Sequence, residues 1–215
     1  FSSLLYGWRT NGDFGILGGA NTRYPVFYGF KLMQYFARPG DTVLNTTNDY
    51  SLLASYAARK ANGALALLVI NKHSTSNLNA RVTITNFFPG ATATVRSFGI
   101  TQDEATRTNG PAAAQDITTN SFAAASTNFT TSFPPYSLTL FTFAPAAPRM
   151  QSLAATGGKY VFQLQGQSGV PYQIQTSTNL AAWTSNSTVT LSNTTWNVTN
   201  TVSSGAKFWR AVWLP

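Results

Sequence analysis

Two spacings of apolar residues divide this chain. Between residues 24 and 36 they return every three or four positions, with Val26, Phe30, Met33 and Ala37 on one face, which predicts a helix. Pro25 suits its first turn, and Pro39-Gly40 ends it. Beyond that point the apolar residues either alternate or run on continuously, and both patterns predict strands. SLLASYAARK and ALALLVINK flank Ala61-Asn62-Gly63, where Asn-Gly is expected to supply the positive φ angles of a tight hairpin turn. ARVTITNF, ATATVRSFGI, FAAAS and YSLTLFTF follow, with a Gly/Pro/Ala-rich loop from about 106 to 116 among them. Short strands with turn signals between them predict an antiparallel β-sandwich over residues 41–145. In its last strand Leu138 and Leu140 alternate with Thr139, Phe141 and Phe143, so both faces are expected to be covered.

The pattern breaks at APAAPRM, residues 144–150, where Pro145, Pro148 and small residues mark a boundary. A second β unit is expected over 150–215. KYVFQLQG and PYQIQTST alternate strictly, and TVTLSN, TWNVTN and KFWRAVWL complete about five strands. So short a stretch builds only a small core, so this second, sandwich-like unit should lean on its neighbour. The fold class read from the pattern is mainly β, with one N-terminal helix.

Composition narrows the function. Only 9% of the 215 residues are charged, and Thr, Asn, Ser, Ala and Gly are plentiful, as in many secreted β proteins. The absence of cysteine excludes a disulfide framework and a thiolate metal site. A net charge of +8 raises the question of an anionic partner, but the basic residues are scattered singly, with only Arg59-Lys60 adjacent. A nucleic-acid partner is therefore not expected. No apolar run approaches the ~18 residues that a membrane span needs, so no membrane partner is expected either. The sequons at Asn45, Asn128, Asn186, Asn193 and Asn197 are what a Thr- and Asn-rich chain produces by composition.

Groups able to do chemistry are few. The carboxylates are Asp13, Asp41, Asp49, Asp103, Glu104 and Asp116, and the only two side by side fall where a solvated loop is expected. His73 has neither a second His nor an acidic neighbour, so a zinc site or a nucleophile-base pair is not expected of it. FGILGGANT contains glycines but lacks the spacing and the Lys of a phosphate-binding loop. No catalytic residue, metal site or cofactor is expected.

YPVFYGFKLMQYFARPGDTVL, then SLLASYAARKANGALALLVINK, then PPYSLTLFTF resembles the junction of barrel and C-terminal β-sandwich in retaining glycoside hydrolases of the large (β/α)8 clan, of endoglucanase and arabinofuranosidase type. The resemblance covers about residues 1–145 and rests on the order of these features. It implies that residues 1–40 are a strand-loop-helix remnant of a barrel, packing on the sandwich. The chain is then expected to be the C-terminal portion of a larger, secreted enzyme, with the catalytic barrel of that parent as a partner and the catalytic carboxylates outside this sequence. It also implies that Trp8, at the end of the last barrel strand, belongs either to the floor of a sugar subsite or to the sandwich interface. Residues 159–213 separately resemble a C-terminal module of secreted bacterial proteins, on YQIQTSTNLAAWT and FWRA.

Aromatic side chains then become the candidate site. Trp183, Trp196, Trp209 and Trp213 all lie near the C-terminus, with Tyr160, Tyr172 and Phe208. Alternation places Trp209, Ala211 and Trp213 on one face of their strand, with the two rings ~13 Å apart along it. That spacing is near the repeat of a β-1,4-glucan, and an aromatic ring can pack on the C–H face of a sugar. Two readings stand side by side: an exposed stacking platform, or the core that a small unit needs. The expected function is noncatalytic binding of a polysaccharide or oligosaccharide, with Trp209, Trp213, Trp196, Tyr172 and Trp8 as contacts, and the alternative is a structural buttress.

Overall fold

The computed structural model describes residues 16–17, 23–104, 115–123, 125–201 and 205–214. The segment before Ile16, with Trp8 and Asp13, lies outside them, as does most of the 106–116 loop. The chain is mainly β, in antiparallel sheets, as its apolar pattern predicts.

Helix α1 spans Pro25–Phe36, with Pro25 in its first turn. Strands β1 (Thr42–Leu44), β2 (Leu53–Arg59), β3 (Leu65–Asn71), β5 (Pro89–Phe98), β6 (Thr118–Phe122) and β8 (Ser137–Pro145) form one sheet in the order β1-β2-β3-β8-β5-β6. Strands β4 (Leu78–Thr83) and β7 (Asn128–Phe133) pair with each other as a second layer. The two hydrophobic faces of β3 and β8 explain the layering. Leu65, Leu67, Val69, Phe141 and Phe143 face β4 and β7, where Phe129 and Phe133 close the core. Ala66, Leu68 and Leu140 face the other way and are covered by α1 through Leu32.

The helix arrives with a different face than its spacing suggests. Tyr28 and Leu32 are the buried positions, and Tyr28 stacks on Phe98 at 5.1 Å, whereas Val26 and Phe30 are half exposed. PVFYGFKLMQYF is apolar nearly all round, so periodicity alone does not select the side that meets the sheet. Lys31 reaches from α1 to an ion pair with Asp116, whose carboxyl is drawn below its ordinary pKa first by that hydrogen bond.

Three local expectations change on inspection. The Asn-Gly hairpin is a five-residue connection, Lys60 to Ala64, in which Gly63 alone of the pair has positive φ (89°) while Asn62 accepts a side-chain hydrogen bond from Ala64 N–H. The Asp103-Glu104 segment is not a loop but the end of a short helix α2, Ile100–Glu104. FAAAS contributes only the end of β6; the pairing strand is β7, where Phe129 and Phe133 point inward.

Asn71 shows why the Val-Ile-Asn-Lys run ends as it does. Almost wholly buried, its amide donates to the carbonyls of Ser76, Phe133 and Pro134, and its oxygen accepts from His73 N–H. His73 in turn accepts the backbone N–H groups of Thr75 and Ser76 on Nδ1, so it holds a turn. A buried amide bonded through both its nitrogen and its oxygen locks β3 to the β7–β8 corner.

The second unit has six strands, one more than expected. β9 (Arg149–Thr156), β10 (Lys159–Gln165) and β13 (Thr195–Thr201) form one sheet, and β11 (Pro171–Ser177), β12 (Thr184–Thr190) and β14 (Phe208–Trp213) the other. Its core is Leu164, Val170, Tyr172, Ile174 and Leu191. Since β8 runs to Pro145 and β9 starts at Arg149, only residues 146–148 connect the units.

Candidate functional site

Register decides where each candidate aromatic goes. In the β11–β14 pair Trp213 lies opposite Tyr172, Ala211 opposite Ile174 and Trp209 opposite Thr176, and directly opposed residues share a face. That face is the inner one, because Tyr172 and Ile174 are fully buried. Trp209 and Trp213 are therefore partly buried against the core, and the outward stacking platform is corrected: the pair does not stand on the solvent face. Tyr172 is corrected as a sugar contact too. Its phenol is enclosed and accepts the Gln167 N–H at 2.9 Å. Burial pushes its pKa up, against the effects of that N–H and of Arg59. Trp196 lies opposite Leu164 on edge strand β13 and is 39% exposed. Trp8 lies outside the described residues.

Of the four described candidates, Tyr172, Trp209 and Trp213 share the inner face and Trp196 lies apart on β13, so they form no common exposed surface, but Trp209 borders a cavity. At one end of the terminal sandwich, β9, β10, β13 and β14 enclose about 370 Å³. Rings come from Tyr160 and Phe162 on β10 and from Phe208 and Trp209 on β14; Phe162 and Trp209 lie 5.1 Å apart, tilted by 46°. Polar groups come from Gln151, Ser152, Asn200 and Thr201. The Asn200 side-chain N–H2 is shut off from solvent and has no hydrogen-bond partner among the described residues. Lys207 places its ammonium 4.8 Å over the Trp209 ring. Among the described residues no carboxylate lines the cavity.

Phe162, Asn200, Gln151 and Lys207 were missed by the sequence reading. Tyr160 faces Asn200 across the β10–β13 ladder, and Phe162 faces Ser152 on β9 across a register shift, so only strand pairing gathers these positions. The Lys207-Phe208-Trp209 run was the one available local signal.

The outer faces of the terminal unit carry rows of amides. Gln163 donates to Asn197 at 3.1 Å, and Gln165 donates to both Gln163 and Gln151. On the other sheet Arg210 donates to Gln175 at 2.7 Å while its guanidinium lies 4.3 Å over the Trp183 ring.

No family model matches the chain, and no curated protein matches it. Among solved structures it is similar to a bifunctional glucanase-xylanase from a metagenome library, at 23% identity over 48% of this chain and 18% of that one, with a TM-score of 0.37. It is also similar to a glycoside hydrolase family 30 subfamily 8 xylanase from Clostridium acetobutylicum, at 18% identity over 60% and 30% of the two chains, TM-score 0.46. A thermostable family 51 α-L-arabinofuranosidase from Thermotoga petrophila gives 16% identity over 60% and 31%, TM-score 0.42. The chain spans less than a third of the length of each.

Proposed function

We propose that the chain is a noncatalytic accessory region of an extracellular polysaccharide-degrading glycoside hydrolase, and that its terminal unit binds plant cell-wall β-glucan or xylan. The observation that carries this reading is the cavity at Trp209. Its flat rings suit the C–H face of a sugar, while neutral amides and hydroxyls suit the sugar's hydroxyls. About 370 Å³ lies in the range of small-ligand sites. The enzyme context and the extracellular placement come from the sequence resemblance of residues 1–145 and from the bulk of such a substrate.

The described carboxylates do not suggest a hydrolytic pair. Asp41 and Asp116 are held in ion pairs, and Asp103 and Glu104 are neighbours on α2. A glycosidase needs two carboxyl groups facing each other across a bound sugar.

The test is depletion of the purified chain by insoluble cellulose, xylan, mannan and chitin, with a reducing-sugar assay alongside. Selective depletion by cellulose or xylan, weakened roughly tenfold in a folded Trp209→Ala variant, is the expected result. Depletion by none of the four, or sugar release by the chain itself, sinks it.

A second reading, a buttress for a catalytic barrel, is favoured by one feature. On the sheet face that α1 shares, Val43 and Tyr56 stay 73% and 50% exposed, and Val26 and Phe30 on the helix are about half exposed. Apolar surface of this kind is what a further domain would cover.

A further inference from the structure

A second concavity, bordered by Trp213 and not by Trp209, has a lining of different chemistry. The C-terminal end of α1 and the residues just after it supply Gln34, Tyr35 and Arg38 to one wall. Thr94, Arg96 and Thr142 on β5 and β8 form the floor, and the Lys60–Asn62 turn and Trp213 the other wall, around about 540 Å³. It is therefore a groove of the first β unit, bordered on one side by Trp213 of the second.

Its charges do not cancel. Three cations, Arg38, Arg96 and Lys60, face one carboxylate, Asp41. Asp41 is already saturated: it accepts the backbone N–H groups of Arg38 and Ala61, both at 2.9 Å, and pairs with Lys60 at 3.2 Å. Among the described residues no carboxylate pairs with Arg38 or Arg96. Among the described residues Arg38 uses only Nε, on the Gln34 carbonyl, and the Arg96 guanidinium rests 4.3 Å over the Tyr35 ring with no hydrogen-bond acceptor at its edge. Beneath them the Thr142 hydroxyl is cut off from solvent and has no hydrogen-bond partner among the described residues.

We propose that this groove binds an acidic sugar, a hydroxylated ring carrying one carboxylate. The two uncompensated guanidinium groups take the carboxylate, since Arg matches it with paired N–H donors. Thr94 and Gln34 meet ring hydroxyls, and the Trp213 ring, anchored by its Nε1–H on the Asn62 carbonyl at 2.8 Å, packs on the apolar face of the sugar. A bare inorganic anion would use the arginines and leave the indole, the hydroxyls and most of the volume unmatched. The inference does not depend on the cavity at Trp209.

Calorimetric titration of the 215-residue chain with D-glucuronate, D-glucose and inorganic phosphate tests it. Glucuronate is expected to bind on the order of tenfold more tightly than either of the others, and less tightly as salt is added. Arg96→Gln and, separately, Arg38→Gln should each remove about that factor for glucuronate. Trp209→Phe should leave it unchanged, which separates this site from the one in the sandwich end. Arg96 also packs on Tyr35, so the Arg38 variant keeps the test decisive if Arg96→Gln fails to fold. Equal binding of glucose or of phosphate, no binding of glucuronate, or two folded arginine variants that bind it normally would each overturn the proposal.

Discussion

The two β units solve the same problem with different means. In the first, both faces of the central strands are buried, one under α1 and one under β4 and β7, and the inner layer is knitted by Phe122, Phe129, Phe133, Phe141 and Phe143 at ring separations of 5.1 to 6.3 Å. In the second, a single layer of buried residues centred on Leu164, Tyr172 and Ile174 separates two three-stranded sheets, and one end stays open as the Trp209 cavity. A thin core leaves its ends free: the Trp209 cavity lies at one of them, whereas the other concavity is lined by the first unit and takes only Trp213 from the second.

The thin core is also tied to the thick one. Gln167, nearly buried, accepts the Phe88 N–H at 2.9 Å and donates to the Asn86 carbonyl at 3.0 Å, across the junction. Arg59 donates to the Ser168 carbonyl at 3.0 Å and lies over the Phe87 ring. Burial there pushes the Arg59 pKa down, with the Tyr172 phenol acting in the opposite sense. A Cβ at Gly63 would stand 2.7 Å from the Val170 side chain, so the close approach of the two units requires glycine there, as does its positive φ.

The largest effect should come from the thick core. Phe141→Ala is expected to cost about 3–5 kcal/mol by urea denaturation, and a loss no greater than that of a terminal-unit variant would break the contrast. Gly166→Ala should cost about 1–3 kcal/mol, because the added carbon meets the Tyr172 ring at 2.7 to 2.9 Å. If that variant shifts the unfolding of the whole chain, the units unfold together; a separate, earlier transition would show that they do not. Gln167→Leu should cost about 1–2 kcal/mol by stranding the Phe88 N–H and the Asn86 carbonyl, and should pull apart the unfolding of the two units.

The smallest effects are on pH dependence, and they have opposite signs. At Asp41 burial works to raise the pKa, but the N–H groups of Ala61 and Arg38 and the Lys60 ammonium outweigh it, so the carboxyl lies below its ordinary value. A lowered carboxyl stabilises the fold above the unfolded pKa of about 4 and loses that contribution as pH falls through the folded value. Tyr172, with its pKa raised, contributes below the unfolded pKa of about 10 and loses that contribution as pH rises beyond it. Stability measured against pH should therefore flatten at the acid end in Asp41→Asn and at the alkaline end in Tyr172→Phe.

Much of this architecture is legible in the chain because strand alternation and breakers are local signals. The ALALLVI run, the Pro25 start of α1 and the break near residue 145 are all of that kind. What escapes is set by pairing between distant segments. Spacing puts Trp209 and Trp213 on one face, but only the opposition to Tyr172 and Ile174 identifies that face as the inner one. The helix face escapes for the same reason, since which of its apolar sides is covered depends on Phe98 and Leu140. Asn200 joins the candidate site only through the β10–β13 register.

The connection of residues 146–148 has a consequence for long ligands. With so short a tether and the junction closed by Gln167, Arg59 and Trp213, the terminal unit has no search volume of its own. The effective concentration of one concavity about the other is then set by fixed geometry instead of linker statistics. Trp209 and Trp213 stand ~13 Å apart along β14, one in each concavity. A chain-like ligand gains avidity only if its own length reaches across that span.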